Sequence, residues 1–82
     1  MPEIARFLGI VISMYFDEHN PPHFHVRYNE YRASVNIKDL NIISGFLPAR
    51  VRGIVTEWAE LHQDELLGMW ETKDFHAIAP LV

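Results

Sequence analysis

Over the first half of the chain, apolar side chains return at every second position. Between Ile10 and Phe16 they fall at 10, 12, 14 and 16, with Val11, Ser13 and Tyr15 in between. A period of two puts alternate side chains on opposite faces of a strand. Gly9, just ahead, marks a bulge or a turn from a shorter strand over 3–8. In HFHVRY, Phe24, Val26 and Tyr28 share one face and His23, His25 and Arg27 the other. In YRASVNIK, Tyr31, Ala33, Val35 and Ile37 oppose Arg32, Ser34, Asn36 and Lys38. Asn29-Glu30 between them has the length of a two-residue hairpin loop; Asn29 tolerates the positive φ of a primed turn, whereas Glu30 does so poorly. That hairpin sets Tyr28 opposite Tyr31, Arg27 opposite Arg32, His25 opposite Ser34 and His23 opposite Asn36. After a turn at 39–41, IISGF reads as a further short strand.

The period then changes. Apolar positions 51, 54, 55, 58 and 61, continuing as 66, 69 and 70, follow helical spacing, and Pro48 suits a first turn. A break at 62–64, with Asp64 capping a second segment, divides the helix in two, and Gly68 weakens that segment by ~1 kcal/mol relative to alanine. The closing DFHAIAPLV reads as an irregular tail or a short extra strand. These elements predict an α+β fold: an antiparallel sheet of four to five strands packed on a C-terminal helix, in one piece or two, which covers the apolar sheet face. A chain of 82 residues supports one core, so a single domain spans 1–82.

With 49% hydrophobic residues and no long polar tract, the chain is expected to pack rather than stay disordered. The absence of cysteine excludes disulfides, thiolate metal sites and a cysteine nucleophile, and fits a reducing compartment. Arg6 and Ser13 interrupt the apolar start well short of the ~18 residues of a membrane span. A cytoplasmic protein with no membrane partner is the expectation. The net charge of −4 is uneven: residues 1–52 hold six basic against five acidic groups, a balance of +1, and residues 53–82 one against six, a balance of −5. An anion site therefore belongs to the first part, and the acidic second part faces solvent or a basic partner.

DEHNPPHFHVRY carries the candidate chemistry. His23 and His25 lie on one side of a strand, ~6.6 Å apart, within reach of one ion at Zn–N bonds of ~2.0–2.1 Å. His19 is harder to recruit, because a polyproline-like Asn20-Pro21-Pro22 spacer sets it ~12 Å from His23 unless a cis bond folds it back. Glu57 or His62 on the helix could supply a third ligand. The other reading is an ordinary solvent-facing strand. Against it stands the rest of the face: Arg27 across from Arg32 is a destabilising like-charge pair, with Ser34, Asn36 and Lys38 alongside and no carboxylate unless Glu30 or Asp17 curls back. Such a face suits a phosphate or RNA. A histidine pair with pKa values near ~6.5 supplies a base and an acid, and arginine stabilises phosphorane charge, the requirements of metal-independent RNA cleavage.

The candidate catalytic residues are thus His23, His25, Arg27 and Arg32, with His19, Ser34, Asn36 and Lys38 as substrate-binding groups and Tyr15, Tyr28 or Tyr31 for base stacking. Tyr28 and Tyr31 fall on the apolar face, where core packing is the simpler reading. Trp58 and Trp70 read as core anchors, Glu57, Glu60, Asp64 and Glu65 as a solvated face, and Arg50 and Arg52 as solvated arginines at a helix start. No resident cofactor is expected, a divalent metal at His23 and His25 being the alternative.

ARFLGIVISMYFDEHNPPHFHVRYNEYRASV, followed by LPARVRGIVTEWAELHQDEL, resembles the small bacterial family catalogued as domain of unknown function 4160, from Pro2 to about Trp70. The histidine motif falls on residues 19–25 and the helix motif on 57–62; Asn29 stands where glycine is expected in many relatives. The resemblance implies a bacterial cytoplasmic protein that works with a cognate antitoxin or neighbouring small protein, as the toxin half of a toxin-antitoxin pair. It transfers no catalytic residue. Two hypotheses follow: a toxin-like enzyme acting on RNA or another phosphate substrate, and a non-catalytic protein-binding module, with a homodimer open to either.

Overall fold

The computed structural model describes residues 3–82; Met1 and Pro2, at the start of the expected 1–82 domain, lie outside them. Five strands precede two helices: β1 (Glu3–Phe7), β2 (Ile10–Ser13), β3 (His23–Tyr28), β4 (Tyr31–Asn36), β5 (Ile42–Gly45), α1 (Ala49–Leu61) and α2 (Gln63–Thr72). The strands form one antiparallel meander in the order β1-β2-β3-β4-β5, so the architecture is the α+β sheet-and-helix arrangement that the change of period predicts.

Turn chemistry sets the registers. Gly9 belongs to a turn and not to a bulge: Leu8 and Gly9 both have positive φ, 52° and 78°, and join Phe7 to its partner Ile10. Two left-handed residues in succession are what a type I′ hairpin loop requires. In the second hairpin Asn29 takes positive φ at 53° and Glu30 is spared it. The β3–β4 pairs are Tyr28 with Tyr31, Arg27 with Arg32, His25 with Ser34 and His23 with Asn36, as loop length and face assignment together require.

One cluster of buried residues fills the space between the sheet and the helices. Phe24, Trp58 and Leu66 are wholly buried, and the Trp58 ring meets Phe7 and Phe24 at centroid distances of 6.0 and 5.9 Å. Each such side chain contributes ~1.5–3 kcal/mol on leaving water. Both indoles find acceptors, Trp58 donating to the Ala79 carbonyl at 2.9 Å and Trp70 to Asn20 Oδ1 at 3.3 Å. Tyr28 and Tyr31 are half-buried against this core, and Glu57, Glu60, Asp64 and Glu65 are exposed. The helix does break, at His62 (φ −121°, ψ 18°), which caps both segments; Asp64 lies in the first turn of α2 and Pro48 caps α1 from outside. The tail has no regular element, but Ile78 is buried and its amide donates to the Ile4 carbonyl at 2.8 Å. No helix among the described residues is long and apolar enough to cross a membrane.

Candidate functional site

The sheet face turned away from the helices carries two transverse rows of polar side chains. Strand pairing aligns Ser13 with His25, His25 with Ser34 and Ser34 with Ser44, and beside them Arg6 with Val11, Val11 with Arg27 and Arg27 with Arg32. Between the rows lies a concavity of about 290 Å³, walled by Ser13, Tyr15, His25, Arg27, Arg32 and Ser34. Val11 and Ser13 are buried there although they point away from the core. Gly45 forms its edge on β5 with φ 86°; a Cβ at that position would run into the Arg32 carbonyl and lie 2.7 Å from Ala33 Cα. Only glycine allows β5 to come this close.

Among the described residues neither Arg27 nor Arg32 forms an ion pair, although they face each other directly. The nearby acid, Glu3, is engaged by Arg6 through contacts of 2.9 and 2.7 Å. The Arg6 hydrogen bond, with the charges of Arg6 and Arg27, holds the Glu3 carboxyl below its usual range against a smaller opposing effect of burial.

The connection between β2 and β3 gives Tyr15 to the concavity and Glu18 to a second hollow. Met14 and Pro22 are buried at the ends of this connection, Trp70 donates to Asn20, and the Ile37 amide donates to the Pro22 carbonyl at 2.9 Å. Held at these points, the loop returns Glu18 to β3. Glu18 Oε1 contacts His25 Nε2 and lies 3.3 Å from His23 Nε2. The opposite ring nitrogens are also engaged, His23 Nδ1 with the Pro21 carbonyl at 2.8 Å and His25 Nδ1 with Ser34 Oγ at 3.4 Å. Trp70 packs on His23 with centroids 5.1 Å apart, and Tyr15 meets His25 edge-on at 4.9 Å. Burial is the largest single influence on Glu18 and pushes its carboxyl up, but the hydrogen bonds and charges of His25 and His23 together outweigh it and hold the group below its ordinary value.

The structure therefore brings His25, Arg27, Arg32 and Ser34 to one concavity, with His23 adjoining through Glu18. It separates the remaining candidates from them. Asn36 spends its side-chain oxygen on the Lys38 amide at 2.7 Å. Lys38 and His19 border a different hollow, which Glu18 also lines, with Glu71, Trp70 and Lys73. His19 stays outside the histidine cluster although the Asn20–Pro21 bond is cis. Tyr15 lines the concavity, whereas Tyr28 and Tyr31 pack on the core. Sequence reasoning missed Glu18, Ser13 and Ser44: it expected a carboxylate only from Glu30 or Asp17, and both of these are exposed. A pairing of β2 with β3 would have placed Ser13 beside His25, whereas the return of Glu18 depends on the loop's contacts with Trp70 and Ile37.

Chemically, the site joins anion donors to a base. Arg27, Arg32 and the serine hydroxyls donate hydrogen bonds, and His25, oriented by a carboxylate on one nitrogen, can take or give a proton. Glu18, His23 and His25 also each offer a ligand atom within 4.8 Å of the others, the one such group among the described residues. Glu57 and His62 take no part in it; His62 stacks on Trp58 at 5.3 Å.

The family model described as Domain of unknown function (DUF4160) matches residues 9–71, from Gly9 just before β2 to the last turn of α2, and so includes every residue of the concavity and of the Glu18 cluster. No curated protein and no solved structure gives a significant match to the chain.

Proposed function

The chain belongs to the family of domain of unknown function 4160, and from the site's geometry we propose that it acts on RNA or another phosphate-bearing substrate in the outer concavity, as the toxin of a bacterial type II toxin-antitoxin pair in the cytoplasm. One observation carries the substrate class. Arg27 and Arg32 face each other across two strands with no ion-pair partner among the described residues, at the rim of a hollow whose remaining polar groups are hydroxyls and an imidazole. A directly opposed like-charge pair costs ~0.2–1 kcal/mol in a sheet, and an anion bound between the two removes that cost. The toxin role follows the resemblance and not the charge.

In this reading the two guanidinium groups straddle a phosphate and stabilise the charge that grows on its oxygens during attack. Ser34 donates to the same group, and the Tyr15 ring offers a face to a base. For RNA, the 2′-oxygen attacks phosphorus and the P–O5′ bond breaks. His25, which lines the concavity, takes the 2′-hydroxyl proton and as the imidazolium gives one proton to the departing 5′-oxygen, leaving a 2′,3′-cyclic phosphate and a 5′-hydroxyl.

Filter binding of single-stranded RNA across a salt series, with growth on induced expression alongside, tests this. The wild type binds and arrests growth. Arg27→Ala with Arg32→Ala loses both while keeping its circular dichroism, and the slope of log K on log salt falls by ~0.7 per lost phosphate contact. A folded double variant that binds RNA as the wild type does removes the reading.

A second reading, a non-catalytic protein-binding module, rests on β5. It is the last strand of the sheet, and Ile43 and Phe46 beside its free edge are exposed. Under that reading Ile43→Lys abolishes copurification with the cognate small protein and the Arg27 and Arg32 substitutions do not.

A further inference from the structure

We propose that Glu18, His23 and His25 bind one divalent transition-metal ion of zinc's class. Hydrogen bonding decides the state of His23. A carbonyl only accepts, so the 2.8 Å contact with Pro21 O places a proton on Nδ1. Nε2 is left as the nitrogen that faces Glu18 Oε1, 3.3 Å away. His25 Nε2 converges on the same carboxylate oxygen. Two ring nitrogens and an anionic oxygen converge on one point, an arrangement held together by shared protons or by a metal cation that takes their place. An ion with bonds of ~2.0–2.1 Å draws its ligand atoms to ~3.3 Å from one another, and the three here already lie within 4.8 Å of one another.

The surroundings fit the same reading. A ligating histidine ordinarily gives its second N–H to a backbone carbonyl or another acceptor, and here Pro21 O serves His23 while Ser34 Oγ faces the second nitrogen of His25. Both rings project from the same side of β3, a strand paired on both edges, and Trp70 and Tyr15 restrain their tilt. Two imidazoles and one carboxylate suit Zn²⁺ and its neighbours, not Mg²⁺ or Ca²⁺, which prefer all-oxygen shells. Three protein ligands leave a position open. With side-chain exposures of 12% for His23, 28% for Glu18 and 34% for His25, that position is reachable from solvent. The ion then borders the concavity through His25, which with the ion bound is a ligand rather than the base; its use rests on the phosphate reading, but its binding does not.

Titration of the metal-stripped full chain with Zn²⁺ by calorimetry, with Co²⁺ absorption as a second readout, tests the site. One ion per chain is expected, with affinity reduced at least about tenfold in Glu18→Gln and in His25→Ala. Glu18→Gln keeps the shape of the side chain, so the test does not hang on a variant that fails to fold. Arg27→Ala, and His76→Ala at the unrelated Glu65 pair, should bind Zn²⁺ as the wild type does. No stoichiometric binding, or binding untouched by Glu18→Gln and His25→Ala, overturns the proposal. A wild type that binds Zn²⁺ but no RNA keeps the ion and removes the phosphate reading; RNA binding without Zn²⁺ does the reverse.

Discussion

Strand β3 has two sides that obey different rules. Toward the helices, Phe24 and Val26 are almost wholly buried, and Phe24 meets Trp58 edge to face. Away from them, His23, His25 and Arg27 carry a carboxylate shared by two imidazoles and an arginine opposed by another arginine. The inner side gains free energy by leaving water, in proportion to area. The outer side holds, in Arg27 opposite Arg32, a contact that is unfavourable by itself, and it can do so because the register is already determined by the apolar face. Stability thus belongs to one side of the strand and chemistry to the other.

The sharpest way to break this contrast is Phe24→Ala. It should cost ~3–5 kcal/mol, a large part of the ~5–15 kcal/mol that holds a small domain together, seen as a collapse of the urea midpoint; a loss under ~1 kcal/mol would mean that the inner side is not where stability resides. Gly45→Ala comes next. Its methyl meets the Arg32 backbone and the residue sits at φ 86°, so a loss of ~1–3 kcal/mol is expected, together with weaker RNA binding as β5 withdraws from the concavity. Unchanged melting would show that β5 can shift freely.

On the outer side the sign reverses. Arg32→Thr removes the like-charge pair at a position where threonine suits a strand, so the urea midpoint should rise by the equivalent of ~0.2–1 kcal/mol while RNA binding falls. A variant less stable than the wild type would mean that the two arginines help the fold. The smallest effect lies off both faces. His76 hydrogen-bonds Glu65 at 2.6 Å, and that bond, against a smaller opposing desolvation and with help from the Glu65 and Asp74 charges, raises the imidazole pKa. The pair's contribution is therefore complete below ~6.5, the ordinary histidine value, and is lost as pH rises through the higher folded value. An NMR titration should place the His76 midpoint above that of an unpaired histidine, and Glu65→Gln should bring it back.

Much of the scaffold could be read from the residues. Alternation over 10–16 and 23–38 located three strands, and a two-residue loop led to all four β3–β4 pairs, because a slip by one residue would turn Phe24, Val26 and Val35 toward water. The helix break at His62 was legible in the interrupted spacing of apolar residues. Site membership was less so. Glu18 and His25 are seven positions apart across a loop whose path depends on Trp70 and Ile37, residues far along the chain. Asn36 and Lys38 share the polar side of β4 in the pattern, yet the strand ends at Asn36 and the Lys38 amide donates to its side chain in the turn that follows.

Periodicity and turn length alone were enough to place Arg27 against Arg32 and both imidazoles on one side of a ribbon, since side-chain direction in a strand alternates whatever surrounds it. Packing between distant segments was needed to bring a carboxylate to those imidazoles and to close a hollow beside the arginines. Local dihedrals act over a few residues, whereas the course of an irregular loop depends on which remote groups accept its hydrogen bonds and bury its ends.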